Sequence, residues 1–167
     1  MPLIQSILSD RKEEQMRLQL ALNVKDLDSA VDFYSKLFGV EPRKRKPGYA
    51  NFAIAEPPFK LVLFEAPSAG ERLNHLGVEV FDDADVSRAE QRIRTSGLPH
   101  LTENDTICCN ARQNKVWALE PQGLRWEWYR VIEDVKSEKP SPGVEAAAED
   151  CCDVDSRISY PQSTPNR

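Results

Sequence analysis

Two stretches of this chain repeat the same order of residue types at one fixed spacing, and that repeat restricts the fold more than any other feature. Gln19, Ala21, Val24 and Asp26 fall on His75, Gly77, Val80 and Asp82, each 56 positions later. A constant offset through a strand and the turn after it marks an internal duplication. Its unit is legible in the first half. Leu18, Leu20, Leu22 and Val24 alternate with Gln19, Ala21 and Asn23, the period of a strand with one face on a core and the other on something polar. "DLDSAVDFYSKLFG" then sets Leu27, Ala30, Val31, Tyr34, Leu37 and Phe38 on one helical face, with Asp26 as the cap and Gly39 as the stop. "YANFAIA" (49–55) and "KLVLFE" (60–65) follow as short strands around the turn-forming "EPPF".

The second half repeats that order. "NHLGVEVFDDADVSRAEQRIRTSG" reads as a strand through Val80 and a helix with Val86, Ala89 and Ile93 inward and Gly97 as its stop. Strands are expected near 99–108, 114–119 and 124–131. The reading is therefore an α+β domain over residues 16–135, made of two tandem βαβββ modules at about 17–66 and 72–131. Residues 1–15 are charged and poor in apolar positions, so a weakly ordered leader is expected, with Met16 as an alternative start. From 136 to 167 the chain is rich in Pro, Ser and acid without a periodic apolar face, and a disordered tail is expected.

With 167 residues the chain can bury one substantial core, which fits one domain. Its net charge of −5 argues against a nucleic-acid backbone or an anionic membrane as the main partner, because both repel an acidic surface. Small molecules and proteins remain. There is no run of about 18 apolar residues and no basic start followed by an apolar centre, so a cytoplasmic protein is expected. The four cysteines form two neighbouring pairs, Cys108–Cys109 and Cys151–Cys152, without the two-residue gap of a zinc knuckle or a dithiol redox site. Adjacent residues bridge each other only with strain and cytosol is reducing, so free thiols are the working expectation.

Duplicated units place equivalent strands beside a pseudo-twofold axis, and Gln19 and His75 would then point into one shared cavity. On "LRWEWYRV", Trp126, Trp128 and Arg130 share one face while Glu127 and Tyr129 share the other. Each residue alone has an ordinary explanation: Gln19 as a polar strand residue, His75 as a hydrogen-bonded structural histidine. Glu127 is less ordinary, since a carboxylate between two tryptophans needs a partner when buried. Together, an amide oxygen, an imidazole and a carboxylate suit a divalent metal and leave positions open for substrate and dioxygen. Iron(II) fits best, with manganese and zinc as alternatives. His100, in "GLPHLTEN", is expected in a surface loop.

"LQLALNVKDLDSAVDFYSKLFG", "GYANFAI", "LNHLGVEV" and "KVWALEPQGLRWEWY" resemble the vicinal oxygen chelate superfamily, which includes glyoxalase I and the extradiol dioxygenases. "KRKPGYANFAI" and the "CC" followed by "KVW" resemble its branch of organoarsenical carbon–arsenic lyases, often described as cadmium-induced or heavy-metal resistance proteins. The resemblance spans residues 17–131. It implies an open barrel-like sheet, with Gln19, five residues before Val24, as the first metal ligand, His75 as the second and Glu127 as the third. A glyoxalase-type fourth ligand falls on Val62, which cannot ligate. By analogy the resemblance also implies a homodimer.

On this reading Cys108 and Cys109 end a strand, and the polar "NARQN" lets the backbone turn so that both thiols meet one soft atom. Core filling is the alternative for either cysteine taken singly. The resemblance makes that atom trivalent arsenic. Lys115 would lower the thiol pKa or close over the site, or else be a solvated loop lysine. Cys151 and Cys152, among acidic neighbours, would be a mobile capture pair or idle. The function implied is an iron(II)-dependent dioxygenase that cleaves the carbon–arsenic bond of a trivalent organoarsenical such as methylarsonous acid, giving arsenite. The alternatives are a non-enzymatic cadmium or arsenite binder and a glyoxalase-like metalloenzyme, and fold does not choose among them.

Overall fold

The computed structural model describes residues 16–108, 111–135 and 155–160. The first module runs β1 (Arg17–Val24), α1 (Leu27–Phe38), β2 (Lys44–Lys46), β3 (Tyr49–Ile54) and β4 (Phe59–Glu65). The second runs β5 (Leu73–Glu79), α2 (Asp83–Thr95), β6 (His100–Cys108), β7 (Ala111–Leu119) and β8 (Arg125–Asp134). The strands form one eight-stranded sheet in the order β2-β3-β4-β1-β5-β8-β7-β6. Reading outward from the centre, 1-4-3-2 mirrors 5-8-7-6, which is the pseudo-twofold that the 56-residue offset predicts. Within each module the first strand pairs in parallel with the last, and the modules meet where β1 runs antiparallel to β5.

Both helices begin at the predicted aspartates. Asp26 accepts from the backbone N of Ser29 at 2.7 Å, and Asp82 accepts from that of Ala84 at 2.9 Å. Each cap satisfies an N–H that the helix itself leaves without a partner. Gly39 and Gly97 follow the two helices at φ +66°, a conformation open to glycine without steric penalty. Helix α1 covers the first module, burying Leu27 and Val31 against Phe52, Ile54, Leu61 and Leu63, with Leu20 and Leu22 at the margin. Helix α2 sets Ala89 and Ile93 on Val116, and Arg92 stacks over Trp128.

The opposite face of the sheet carries buried polar residues, among them Gln19, His75 and Glu127, beside apolar Tyr49, Val62 and Phe64. On β1, Gln19 and Ala21 are buried while Leu18 is 47% exposed, so the strand's polar alternation faces the interior of the curl.

Four details differ from the sequence expectations. Strand β2 adds the short "KRK" edge. Strand β7 begins at Ala111 rather than 114, because Gln113 and Lys115 alternate inward and the "NARQN" segment is paired strand from Ala111 on. His100 opens β6 half-buried and bridges Ser159, rather than lying in a surface loop. In the tail, Asp155–Arg157 form a 3-10 turn and Ile158 packs on Trp117, Leu101 and Leu119. A single apolar anchor carries no period, which hides it in the sequence. No helix among the described residues is long and apolar enough to cross a membrane.

Candidate metal centre

The register of the central strands brings three of the predicted residues to one point. Gln19 lies opposite Gly77, and Gly77 lies opposite Glu127, so a glycine separates an amide from a carboxylate across three adjacent strands. His75 sits one inward position along β5. Gly77 is needed there for space. A Cβ at that position would stand 3.0 Å from Glu127 Cγ and 3.2 Å from Gln19 Nε2, so tight that these side chains would have to shift by a few tenths of an ångström.

The three functional groups touch. Gln19 Nε2 lies 2.7 Å from Glu127 Oε1 and 3.1 Å from His75 Nε2, and His75 Nε2 lies 3.2 Å from Glu127 Oε1. All three are buried, none more than 4% exposed. His75 Nδ1 meets Asn74 Oδ1 at 2.7 Å, which orients the ring and leaves Nε2 for the site. Tyr129 donates its hydroxyl to Gln19 Oε1 and receives the Lys60 ammonium at 3.0 Å. Burial first, and then the neighbouring Glu79 and Glu127 charges, push the Tyr129 phenol well above the usual tyrosine value, so it stays protonated. Burial alone would raise Glu127. The charges of His75 and Lys115, with hydrogen bonds from His75 and Gln19, outweigh it and hold this carboxyl down at about 2.

Lys115 is not a solvated loop lysine. It is 1% exposed, on β7 opposite Tyr129, with Nζ 3.8 Å from both Glu127 Oε2 and Glu103 Oε2 and 5.0 Å from the Trp117 ring centre. Trp117 in turn packs edge-on to His75 and donates Nε1–H to Glu103 at 2.9 Å.

A cavity of about 30 Å³ opens onto this cluster, walled by Tyr49, Val62, Phe64 and Cys108 as well as the triad. That is the volume one water molecule occupies in the liquid. Cys108 is thus brought to the site, buried beside Phe64 and Val62. It is disulfide-bonded, which corrects the expectation of free thiols for this residue. Its neighbour Cys109, together with Cys151 and Cys152, lies outside the described residues.

A divalent ion can be tested against these atoms. Ligands about 2.1 Å from a metal and at right angles to one another stand about 3.0 Å apart, and the observed edges of 2.7, 3.1 and 3.2 Å match one face of such an octahedron. Two of the donors, imidazole nitrogen and carboxylate oxygen, are ready. The amide must turn to present Oε1, upon which Tyr129 would accept from its NH₂ instead of donating. Among the described residues no three His, Cys, Asp or Glu side chains cluster as a metal site, so an amide ligand is required for this one. The first module offers no fourth ligand. Ala21 pairs with Val62 as Gly77 pairs with Glu127, so Val62 occupies the symmetry position of Glu127.

The sequence did not single out Tyr129, Lys60 or Gly77. Tyr129 was within reach, since it shares the face of Glu127 two residues away. Lys60 pairs with Gln19 across β4 and β1, a register that requires the parallel pairing to be known.

Comparison with known proteins places the fold in a family. The family model described as Glyoxalase/Bleomycin resistance protein/Dioxygenase superfamily matches residues 17–128. The trivalent organoarsenical cleaving enzyme of Thermomonospora curvata is 59% identical over 121 residues, 71% of this chain and 79% of that protein. The cadmium-induced protein CadI of Mycobacterium tuberculosis is 51% identical over 141 residues, 82% of this chain and 93% of the other. Among solved structures, the Mn(II)-bound glyoxalase of Novosphingobium aromaticivorans superimposes with a TM-score of 0.54 at 18% identity, covering 77% of this chain and 44% of that one.

Proposed function

This chain belongs to the Glyoxalase/Bleomycin resistance protein/Dioxygenase superfamily, and from that premise we propose that it is an iron(II)-dependent dioxygenase that cleaves the carbon–arsenic bond of trivalent organoarsenicals. The observation that supports it most is the convergence of Gln19, His75 and Glu127 within 3.2 Å of one another in a cavity that also exposes Cys108. The relative of Thermomonospora curvata, named for cleaving such compounds, supports the choice of substrate.

Gln19, His75 and Glu127 would hold the iron, which when bound supplies the one-electron chemistry with dioxygen that no side chain here can supply. The rest falls to the chain's own groups. The ionised Glu127 offers a negative oxygen without first losing a proton, because its carboxyl is held at about 2. Lys115 and Tyr129 fix the carboxylate and the amide from behind. Phe64, Val62 and Tyr49 close the cavity with ring and alkyl surface and limit water.

With Cys108 reduced, it and Cys109 hold the arsenic: two thiols replace two hydroxyls of methylarsonous acid and release two waters. Trivalent arsenic is thiophilic, and two sulfurs chelate it. One methylarsonous acid and one dioxygen then balance to one arsenous acid and one formaldehyde. Lys115 serves the site from the Glu127 side, and Cys151 and Cys152 are proposed as accessory thiols. The action is placed in the cytoplasm, where thiols are kept reduced.

The test is reconstitution with iron(II) under anaerobic conditions, addition of methylarsonous acid and air, and separation of arsenic species over time. Arsenite is expected with wild-type protein and iron, and not with Cys109→Ser or without metal. One observation favours a second reading, namely the relative named for induction by cadmium. A non-enzymatic binder predicts that the methyl–arsenic bond survives and that Gln19→Ala leaves arsenical and cadmium affinity unchanged.

A further inference from the structure

Beside the metal centre lies a second and much larger cavity, about 590 Å³, that the proposed chemistry does not use. Five cations line it, Arg17, Arg43, Lys44, Lys46 and Lys60, in a chain whose net charge is −5. Only two carboxylates face them. Glu79 is taken by Arg17 and by Lys60 at 3.1 Å, and Asp134 by Lys44 at 2.7 Å. Arg43 and Lys46 form no ion pair among the described residues. Lys46 is held below the ordinary lysine value, first by desolvation and then by the charge of Lys44, against the opposing pull of Asp134.

The cleft adjoins the triad cavity across one residue. Lys60 lines both cavities, and its Nζ donates to the Tyr129 hydroxyl, which donates in turn to Gln19. Phe81, Ala53 and Val131 supply apolar wall beside the cations. A ring against that wall with an anion at its far end satisfies both surfaces.

We infer that this cleft is a subsite for a carboxylate on the organic group of the arsenical, which makes acidic arylarsenicals the favoured substrate class. The inference rests on the proposed function for the arsenic itself, and on the cleft alone for the carboxylate. Charge-assisted hydrogen bonds from Arg43 and Lys46 are expected to raise affinity roughly tenfold over the uncharged analogue.

The experiment measures binding to the full-length, metal-free protein, reduced with a phosphine that is then removed, without oxygen, by tryptophan fluorescence, for 4-carboxyphenylarsonous acid and phenylarsonous acid. The acid is expected to bind the tighter. That preference should vanish in the double variant Arg43→Gln, Lys46→Gln and in about 1 M salt, where charges are screened within about 3 Å. Phenylarsonous acid should bind wild type and variant alike, which shows the variant folded. Equal binding of the two arsenicals, or a preference that survives both changes, overturns the subsite. Glutathione and uncharged dithiothreitol are added in separate arms. A preference seen only for the glutathione adduct assigns the anion to a thiol carrier and overturns the substituent reading. Terephthalate, which carries no arsenic, separates the two claims. If it binds wild type and not the double variant while no arsenical is ever cleaved, the cleft stands and the proposed reaction falls.

Discussion

Glu127 sits in a buried polar cluster, and its depressed carboxyl contributes to the fold as well as to the site at neutral pH. Glu127→Gln keeps the shape and the hydrogen bond to Gln19 but gives up the anion that His75 and Lys115 face. Iron retention after dialysis should fall by more than about a hundredfold, and the metal-free variant should melt below wild type at pH 7. Iron content equal to wild type would count against the ligand assignment. Gly77→Ala tests the same point from the backbone. Its methyl would press on Glu127 Cγ and Gln19 Nε2, and should reduce stability by about 1–3 kcal/mol in denaturant titration while weakening iron binding. At this scale the sequence was readable where symmetry helped. Gln19 is an inconspicuous residue that the 56-residue offset ties to a histidine. Lys115 was a candidate from the sequence, but its burial between two glutamates was not readable, because it looks there like any lysine in a polar stretch.

Elements were legible to the extent that their burial followed their period. The two helices carry an apolar stripe and an aspartate cap, and both stand where expected. Asp82→Ala should cost about 1 kcal/mol in thermal or denaturant unfolding, as the loss of an N-cap does. Strand β7 was read three residues short because its inward positions include Gln113 and Lys115, polar residues that interrupt the apolar alternation while keeping the geometry.

The junction of β1, β4 and β5 carries a pH dependence. Burial acts to raise Glu79, but Lys60 and Arg17 outweigh it and hold its carboxyl below the ordinary value of 4.5. A depressed carboxyl stabilises the fold above its unfolded value and loses that contribution as pH falls through the folded one. Wild type should therefore melt higher than Glu79→Gln at pH 7, and the gap should close on going below about pH 4.5. A gap that widens in acid would contradict the pairing.

The whole molecule is two copies of one motif joined edge to edge, and the candidate site lies on the seam. Gln19 comes from one copy, His75 and Glu127 from the other, so neither module alone holds the three proposed ligands. The duplication was visible in the sequence, whereas the strand order came only with the pairing of the folded sheet. What the sequence hid is contact between segments without period. Ile158 fills a gap beside Trp117, and Arg157 reaches Glu103 at 2.8 Å, the carboxylate that also faces Lys115. Ile158→Ala should lower stability by about 2 kcal/mol and speed amide exchange at His100, whose N–H is bonded to Ser159. The disulfide at Cys108 was equally hidden, since pairing depends on where the chain folds back. Under the proposed reaction, reductant must precede substrate.

The central claim is that dioxygen is consumed in breaking the carbon–arsenic bond, and its most direct measurement is stoichiometry. Reduced, iron-loaded protein is given methylarsonous acid in an oxygen electrode, and arsenite and formaldehyde are counted at the end. One dioxygen lost for each arsenite and each formaldehyde formed is the predicted result. Arsenical bound with no uptake of oxygen and its methyl group intact would contradict it.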